Sequence, residues 1–287
     1  MYFSSSQWLP SPQTLPAQRN IFAVGDIHGH YQALTALNAV IAMEIAAQPE
    51  LEHTVIYLGD YIDRGPNSQK VLEILQAGPH QNVETIFLRG NHEQFLIDLL
   101  KFQPWVDDDY LECWHENGGD TTLRDLQISD YLHLRYTSAG LQTLSSKIAK
   151  ALGPDLAQFL DKLQAIHRIG NYVFVHAGVD PQKPLAAQSE QEFLWIRTPF
   201  MQGGSDWQHD FTAVHGHSIT IPSVYPHRIS VDAGCYHTGM LCAVQIRGDK
   251  LRFIRVTQQP NYVWKHDFLG KDHWQWSEAR PVVAVFA

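Results

Sequence analysis

The residues of this chain that can do chemistry stand in short clusters, each just after an apolar run. Asp26 and His28 follow residues 21–24; Asp60, Asp63 and Arg64 follow residues 55–58; Asn91 and His92 follow residues 83–88. Further on, His176 follows residues 172–175, and His215 and His217 follow Ala213-Val214. Carboxylates and imidazoles at strand ends are costly to bury unless they pair or hold a metal. Asp26 and His28 are two residues apart, so in an extended segment their side chains fall on one face. Asp26, His28, Asp60, Asn91 and His176, with imidazole from the His215-Gly216-His217 segment, offer mixed oxygen and nitrogen donors without thiolate. Such a set suits Mn, Fe or Zn and differs from the cysteine-rich structural zinc site. Two ions roughly 3.5–4 Å apart form the clamp used for in-line displacement at phosphorus and lower the pKa of a water.

Other residues in these clusters are free for a different task. A carboxylate beside His92 would orient and charge its ring, and Asp63 is the candidate. A charged imidazole can protonate a departing alkoxide, an effect of roughly 10²–10⁴-fold. Arg64 carries the rigid fork that grips phosphate oxygens in two places, and Arg197, in the segment 193–197, is a second clamp of the same kind.

The elements that must position these residues are legible as periodicity. Strand, polar loop and helix alternate three times between residues 21 and 100. Leu34, Leu37, Val40, Ile41 and Ile45 predict a helix to about residue 47. Val71, Leu72, Ile74 and Leu75 predict another, stopped by Gly78-Pro79, and Phe95, Leu96, Leu99 and Leu100 a third. That alternation implies a parallel sheet with right-handed crossovers, whose ligands gather at the carboxyl ends of the strands. Residues 102–167 turn mostly helical and read as an insertion beside the sheet. They contain an acidic run at 107–109 and an Asn117-Gly118-Gly119 turn that leads into a helix near Thr121. Strands return at 172–175, 213–214 and 229–231, followed by a hairpin of 240–247 and 251–256 around Gly248-Asp249-Lys250. The tail is expected to end on a strand at 282–286, with Trp264, Trp274 and Trp276 as packing residues.

Of the 287 residues 44% are hydrophobic, enough for a sizeable core, and the formal net charge is −9. That acidity disfavours nucleic acid and anionic membrane as partners. No apolar run is long enough for a membrane span. Cys113, Cys235 and Cys242 are too few and odd in number for a disulfide framework, which points to a reducing cytoplasm. The first twenty residues, rich in Ser, Pro and Gln, read as a flexible arm that is not a secretory signal, with one domain over residues 21–287.

The blocks Gly25-Asp26-Ile27-His28-Gly29, Gly59-Asp60-Tyr61-Ile62-Asp63-Arg64-Gly65, Gly90-Asn91-His92-Glu93 and His176-Ala177-Gly178 resemble signatures of a known family. It is the phosphoprotein phosphatase family of calcineurin-like metallophosphoesterases. Asn117-Gly118-Gly119, Leu194-Trp195-Ile196-Arg197 and Val231-Asp232-Ala233-Gly234 resemble its bacterial and phage branch in the same order, over about residues 20–250. The resemblance implies an α/β fold, a four-layer αββα sandwich in one domain. It further implies two divalent ions, foremost Mn2+ with Fe or Zn as alternatives, and phosphomonoester hydrolysis without a covalent intermediate. Asp60 would bridge the ions, with Asp26 and His28 on one and Asn91, His176 and His217 on the other. The family's ligand directly follows a small residue, which selects His217 and leaves His215 behind it. The expected partner is a phosphorylated protein or peptide, bound by a monomer. Hydrolysis of dinucleoside polyphosphates, in the manner of diadenosine tetraphosphatases, is the alternative; a catalytically silent scaffold is the reading from another class.

Overall fold

The alternation of strand and helix between residues 19 and 100 builds one half of the molecule. The computed structural model describes residues 1–128, 130–134, 137–260 and 276–282. Strands Arg19–Val24, Glu52–Tyr57 and Glu84–Phe87 pair in parallel, in a register that sets Val24 beside Tyr57 and Tyr57 beside Phe87. Helices Tyr31–Ala46 and Ser68–Gln76 make the two crossovers. The predicted hairpin, Leu241–Arg247 with Lys250–Thr257, extends this sheet antiparallel to Arg19–Val24. In a second sheet, Tyr172–Val175, Thr212–His215 and Arg228–Ser230 run parallel, with Val175 beside His215 and His215 beside Ser230.

Because side chains alternate along a strand, each sheet has two faces to bury. Ile21, Ala23, Ile56 and Leu58 of the first sheet meet Tyr172, Phe174, Val214 and Ile229 of the second in one solvent-free layer. The other face of the first sheet, with Phe22, Val24, Val55 and Tyr57, packs on Leu34, Leu37, Leu72 and Leu96 of the helices. The other face of the second sheet, with Val173, Val175 and Ala213, packs on Phe193 and Phe200. Helices, sheet, sheet and helices are the four layers of the expected αββα sandwich. The insertion lies on the first helical layer, where Trp114, Leu123, Leu144 and Ile148 share its core. Among the described residues no helix is long and apolar enough to cross a membrane.

The N-terminal arm differs from its expectation. Tyr2–Ser5 pairs with Lys250–Thr257, Leu9–Pro10 pairs with the start of the same strand, and Leu15 is buried between the sheets. The hairpin would otherwise leave an edge of unpaired backbone groups, which a passing segment satisfies whatever its composition. Trp264, Trp274 and residues 283–286 of the expected tail strand lie outside the described residues. Trp276 carries the Arg255 guanidinium 3.9 Å above its ring.

Candidate active site

Six parallel strands end at one edge, and the loops beyond them carry the candidate residues. Asp26 and His28 leave Arg19–Val24, residues 60–64 leave Glu52–Tyr57, and Asn91 and His92 open the helix Asn91–Leu100. His176, His217 and Asp232 follow Tyr172–Val175, Thr212–His215 and Arg228–Ser230. Five of the eight described non-glycine residues with positive φ lie here: His28 (48°), Asp60 (52°), Asp63 (69°), Arg64 (65°) and His217 (62°). Left-handed backbone costs such residues on the order of 1–3 kcal/mol, and it persists where packing holds it at a working site. Gly90 permits a close approach, since a Cβ there would clash with the Asp60 carboxylate and backbone nitrogen. Glu93, one helical turn on, accepts backbone N–H groups from this loop.

Asp60 stands at the centre. Its Oδ1 lies 3.3 Å from His176 Nε2, and its Oδ2 lies 3.6 Å from His28 Nε2 and 3.8 Å from His92 Nε2. Donor atoms of Asp60, His176 and His217 fall within 4.8 Å of one another, as do those of His28, Asp60 and His92. Asn91 Oδ1 is 2.9 Å from His176 Nε2. Asp26 reaches the cluster from the far side, where its carboxylate accepts the His217 N–H at 3.0 Å. The structure separates the two histidines that spacing left equivalent. His215 Nδ1 faces Gly216 O and its Nε2 faces Ser230 Oγ, whereas His217 turns toward Asp60 and His176.

The donor set fits divalent ions. His176 donates Nδ1–H to Leu58 O and His28 donates Nδ1–H to Ile62 O, both at 2.9 Å. Each Nε2 therefore presents a lone pair: that of His176 faces the Asn91 and Asp60 oxygens, and that of His28 faces Asp60 Oδ2 beside the Arg64 guanidinium. Lone pairs opposed in a dry site repel unless a cation lies between them, and a second-nitrogen bond to a carbonyl is how metal-ligating histidines are held. His217 Nε2 is buried without a hydrogen-bond partner among the described residues. The groups that could each hold an ion are His28 with Asp60 and His92, and Asp60 with His176 and His217; Asp26 and Asn91 adjoin them through His217 and His176.

The electrostatics agree. Burial, then Asp232 and Asp60, hold the Asp26 carboxyl well above the usual range. Burial opposes ionisation of Asp60 too, yet the rings of His176, His92 and His28 keep it well below the usual range. Burial, with His92 beside it, keeps His28 neutral, and burial with His176 does the same for His217. Neutral imidazoles and ionised carboxylates are the forms that bind metals, so loading such a site releases protons. Asp232, which the sequence offered only as part of a block, is a third carboxylate here, pushed up to about 6 by burial.

His92 is fully buried, and its Nδ1 lies 2.7 Å from Asp63 Oδ2. Its Nε2 has no hydrogen-bond partner among the described residues. Burial works against protonation of His92, but Asp60 and Asp63 raise its pKa overall. Arg64 is half-buried, with Nη1 3.2 Å from His28 Nε2 and the guanidinium 4.5 Å over the ring of Tyr236. Arg197 is exposed at the rim and donates to Ser218 Oγ at 3.2 Å. Beside Asn91 opens a cavity of about 600 Å³ lined by Phe95, Asp98, Trp105, Tyr110 and Trp195.

Two parallel-centred sheets between helices, with a carboxylate–imidazole cluster at the strand ends, define a metal-binding hydrolase architecture. Residues 19–267 match the calcineurin-like phosphoesterase family, and the chain belongs to it. Over 163 residues it is 28% identical to the symmetrical bis(5'-nucleosyl)-tetraphosphatase of Legionella pneumophila, covering 56% of this chain and 45% of that one. Over 168 residues it is 35% identical to the serine/threonine-protein phosphatase PP2A-like PPG1 of Candida albicans, covering 57% and 36%. The chain thus spans less than half the length of these curated relatives. Among solved structures, one described provisionally as a diadenosine tetraphosphatase aligns with a TM-score of 0.55 at 22% identity, over 88% of this chain and 100% of that one. The cold-active protein-tyrosine phosphatase of a psychrophilic Shewanella aligns with a TM-score of 0.51 at 16% identity, over 84% and 80%. At such identities the likeness is one of fold.

Proposed function

We propose that this chain is a metal-dependent phosphomonoesterase that removes phosphate from serine, threonine and also tyrosine side chains of proteins, with His92 as general acid. The observation that carries the reading is the buried His92–Asp63 pair, which points an unpartnered Nε2 at the Asp60 cluster with Arg64 alongside. When bound, divalent ions at Asp26, His28, Asp60, Asn91, His176 and His217 supply positive charge and a water of lowered pKa. Arg64 and Arg197 bind and orient phosphate oxygens, and His92 Nε2 holds the proton that the departing alkoxide needs. Mn2+ is the preferred ion in this reading, as the family resemblance implies; the oxygen and imidazole donors, without thiolate, also suit Fe or Zn. The enzyme acts as a cytoplasmic, bacterial monomer whose partner is a phosphorylated protein or peptide; its three cysteines are free thiols.

A second reading, hydrolysis of dinucleoside polyphosphates, draws on the aromatic cavity beside Asn91, where a base can stack on Trp105 or Trp195. It also draws on the likeness to the Legionella enzyme. Assaying Mn2+-loaded wild type and His92→Ala on phosphopeptides and on diadenosine tetraphosphate separates the two. Preferred turnover of phosphopeptides, lost in His92→Ala with metal content unchanged, supports the first reading. Turnover of the dinucleotide alone selects the second. Loss of an ion in His92→Ala would make His92 a ligand and end its role as acid.

A further inference from the structure

Asp63 is fully buried, and the helical insertion occupies its carboxylate from two sides. Oδ1 accepts the Thr122 hydroxyl at 2.5 Å, and Oδ2 accepts the Trp114 indole N–H at 2.7 Å beside the bond to His92. The Thr122 oxygen also accepts the Asp63 backbone N–H at 3.1 Å, so one hydroxyl grips both ends of the residue. Trp114 is 1% exposed, and its seat depends on Gly119, where a Cβ would lie 2.4 Å from the indole. The preceding turn reaches the neighbouring arginine: Gly118 O accepts the Arg64 N–H at 3.1 Å, and Asn117 O accepts the Arg64 Nε–H at 3.4 Å. The Asn117-Gly118-Gly119 turn thus binds the insertion to the loop that carries Asp63 and Arg64.

We infer that Trp114 and Thr122 are positioning residues for the proton donor: together they fix the plane of the Asp63 carboxylate so that His92 Nε2 stays aimed at the leaving oxygen. The inference rests on His92 as the acid proposed above. In that step the phosphorus–oxygen bond to the alcohol breaks, and its electron pair stays on the alkoxide oxygen. The proton passes from His92 Nε2 to that oxygen; water supplies the hydroxide taken up at phosphorus, and its other proton goes to solvent, from which His92 is protonated again. A carboxylate with all its donors in place cannot rotate, and rigid placement of the acid is what a proton transfer requires. A carboxylate without the indole and hydroxyl would turn about its last bond and carry the imidazole with it.

The test compares two leaving groups in Mn2+-loaded wild type, Trp114→Phe, Thr122→Val, Thr122→Ser and His92→Ala. A phosphoserine peptide needs its leaving oxygen protonated, whereas 2,4-dinitrophenyl phosphate does not. Trp114→Phe and Thr122→Val should each lose roughly 10–100-fold in kcat on the peptide, part of the roughly 10²–10⁴-fold effect of an acid. The loss on the dinitrophenyl ester should be at least about tenfold smaller, with KM on either substrate little changed, and Thr122→Ser should recover most of the rate. Equal losses on both substrates would reduce the two residues to fold stability, and no loss would remove them altogether. If His92→Ala shows no dependence on leaving group, the acid reading falls and takes the clamp with it. That result is distinct from the clamp failing alone, in which His92→Ala keeps the dependence and the other variants lack it. In metal-free protein the indole N–H resonance absent from Trp114→Phe should exchange slowly in wild type and move in Asp63→Asn. A resonance that stays in place in Asp63→Asn refutes the bond, and where Trp114→Phe does not fold, sequential backbone and side-chain assignment of wild type identifies that resonance instead.

Discussion

Glu93 reaches back from the first turn of its helix and accepts the backbone N–H of Asp60 at 2.8 Å, while its other oxygen accepts that of Tyr61 at 2.7 Å. It also accepts the N–H of Gly90 at 2.9 Å and of Ile62 at 3.3 Å. One buried carboxylate thereby binds the third strand's loop to the second, and the left-handed Asp60 is the residue it pins.

This arrangement predicts a large effect for a small change. Glu93→Gln keeps the shape but replaces an acceptor oxygen with an NH2 group facing backbone N–H donors. Leaving one or two of them unpaired should cost about 2–4 kcal/mol. The thermal midpoint should fall, and Mn2+ retained after gel filtration should drop as Asp60 drifts. A variant with wild-type midpoint and full metal content would show that the loop holds itself.

Leu15 tests the N-terminal segment. It is 3% exposed and lies in the layer between the sheets. Nearby, the Tyr172 hydroxyl donates to Gln13 O at 2.7 Å. Leu15→Ala should therefore destabilise the protein by roughly 2–5 kcal/mol, read from the urea midpoint at constant slope. A change within about 0.5 kcal/mol, as for a solvated position, would restore the flexible arm.

The contrast between these two residues shows what a sequence displays. The candidate donors were legible because each sits directly after its own strand, and a local apolar run announces it. Asp60 needs only residues 55–58 to be noticed. Glu93 was visible as a member of a block, but its work is done on backbone thirty residues away, which no spacing encodes. Trp114 and Thr122 are farther still from Asp63 and sit in helices whose periodicity speaks only of packing. The segment of Leu15 reads as a flexible arm because composition describes what a segment could do alone, whereas its partners are an edge strand and a core assembled from both halves of the chain. His215 and His217 share one spacing argument; the family resemblance selects His217, and the packing of His215 against Ser230 separates the two in the fold.

A pH dependence follows from His80, remote from the cluster. It is buried, its Nε2 lies 3.3 Å from the Tyr57 hydroxyl, and burial lowers its pKa to about 4. The unfolded imidazole titrates near 6.5, so between about 6.5 and 4 the unfolded chain binds a proton that the folded chain refuses. The stabilising contribution is complete above pH 6.5 and is lost as pH falls through 4, a change on the order of 3 kcal/mol. His80→Gln should flatten this part of the profile when urea midpoints are compared at pH 7 and pH 4.5. Parallel decline of wild type and variant would assign the acid sensitivity elsewhere.

The last prediction concerns the ions. Asp26, Asp60 and Asp232 are each 2% exposed, and Asp60 lies close to His28 and His92 on one side and to His176 and His217 on the other. Buried carboxylates this close are mutually repulsive, so a cation that binds only the folded state must stabilise it. At a hundredfold excess over its dissociation constant an ion contributes about 2.7 kcal/mol. For a chain of this size that raises the thermal midpoint by roughly 5–10 °C, and chelation reverses it. Binding should also release protons, since Asp26 and Asp232 hold theirs more tightly than free carboxyls do. Titrating Mn2+ into weakly buffered protein at pH 6 should therefore acidify the solution, and His217→Ala should reduce both the midpoint shift and the proton release. A midpoint that ignores Mn2+ in wild type would mean that the cluster keeps its protons as its only cations.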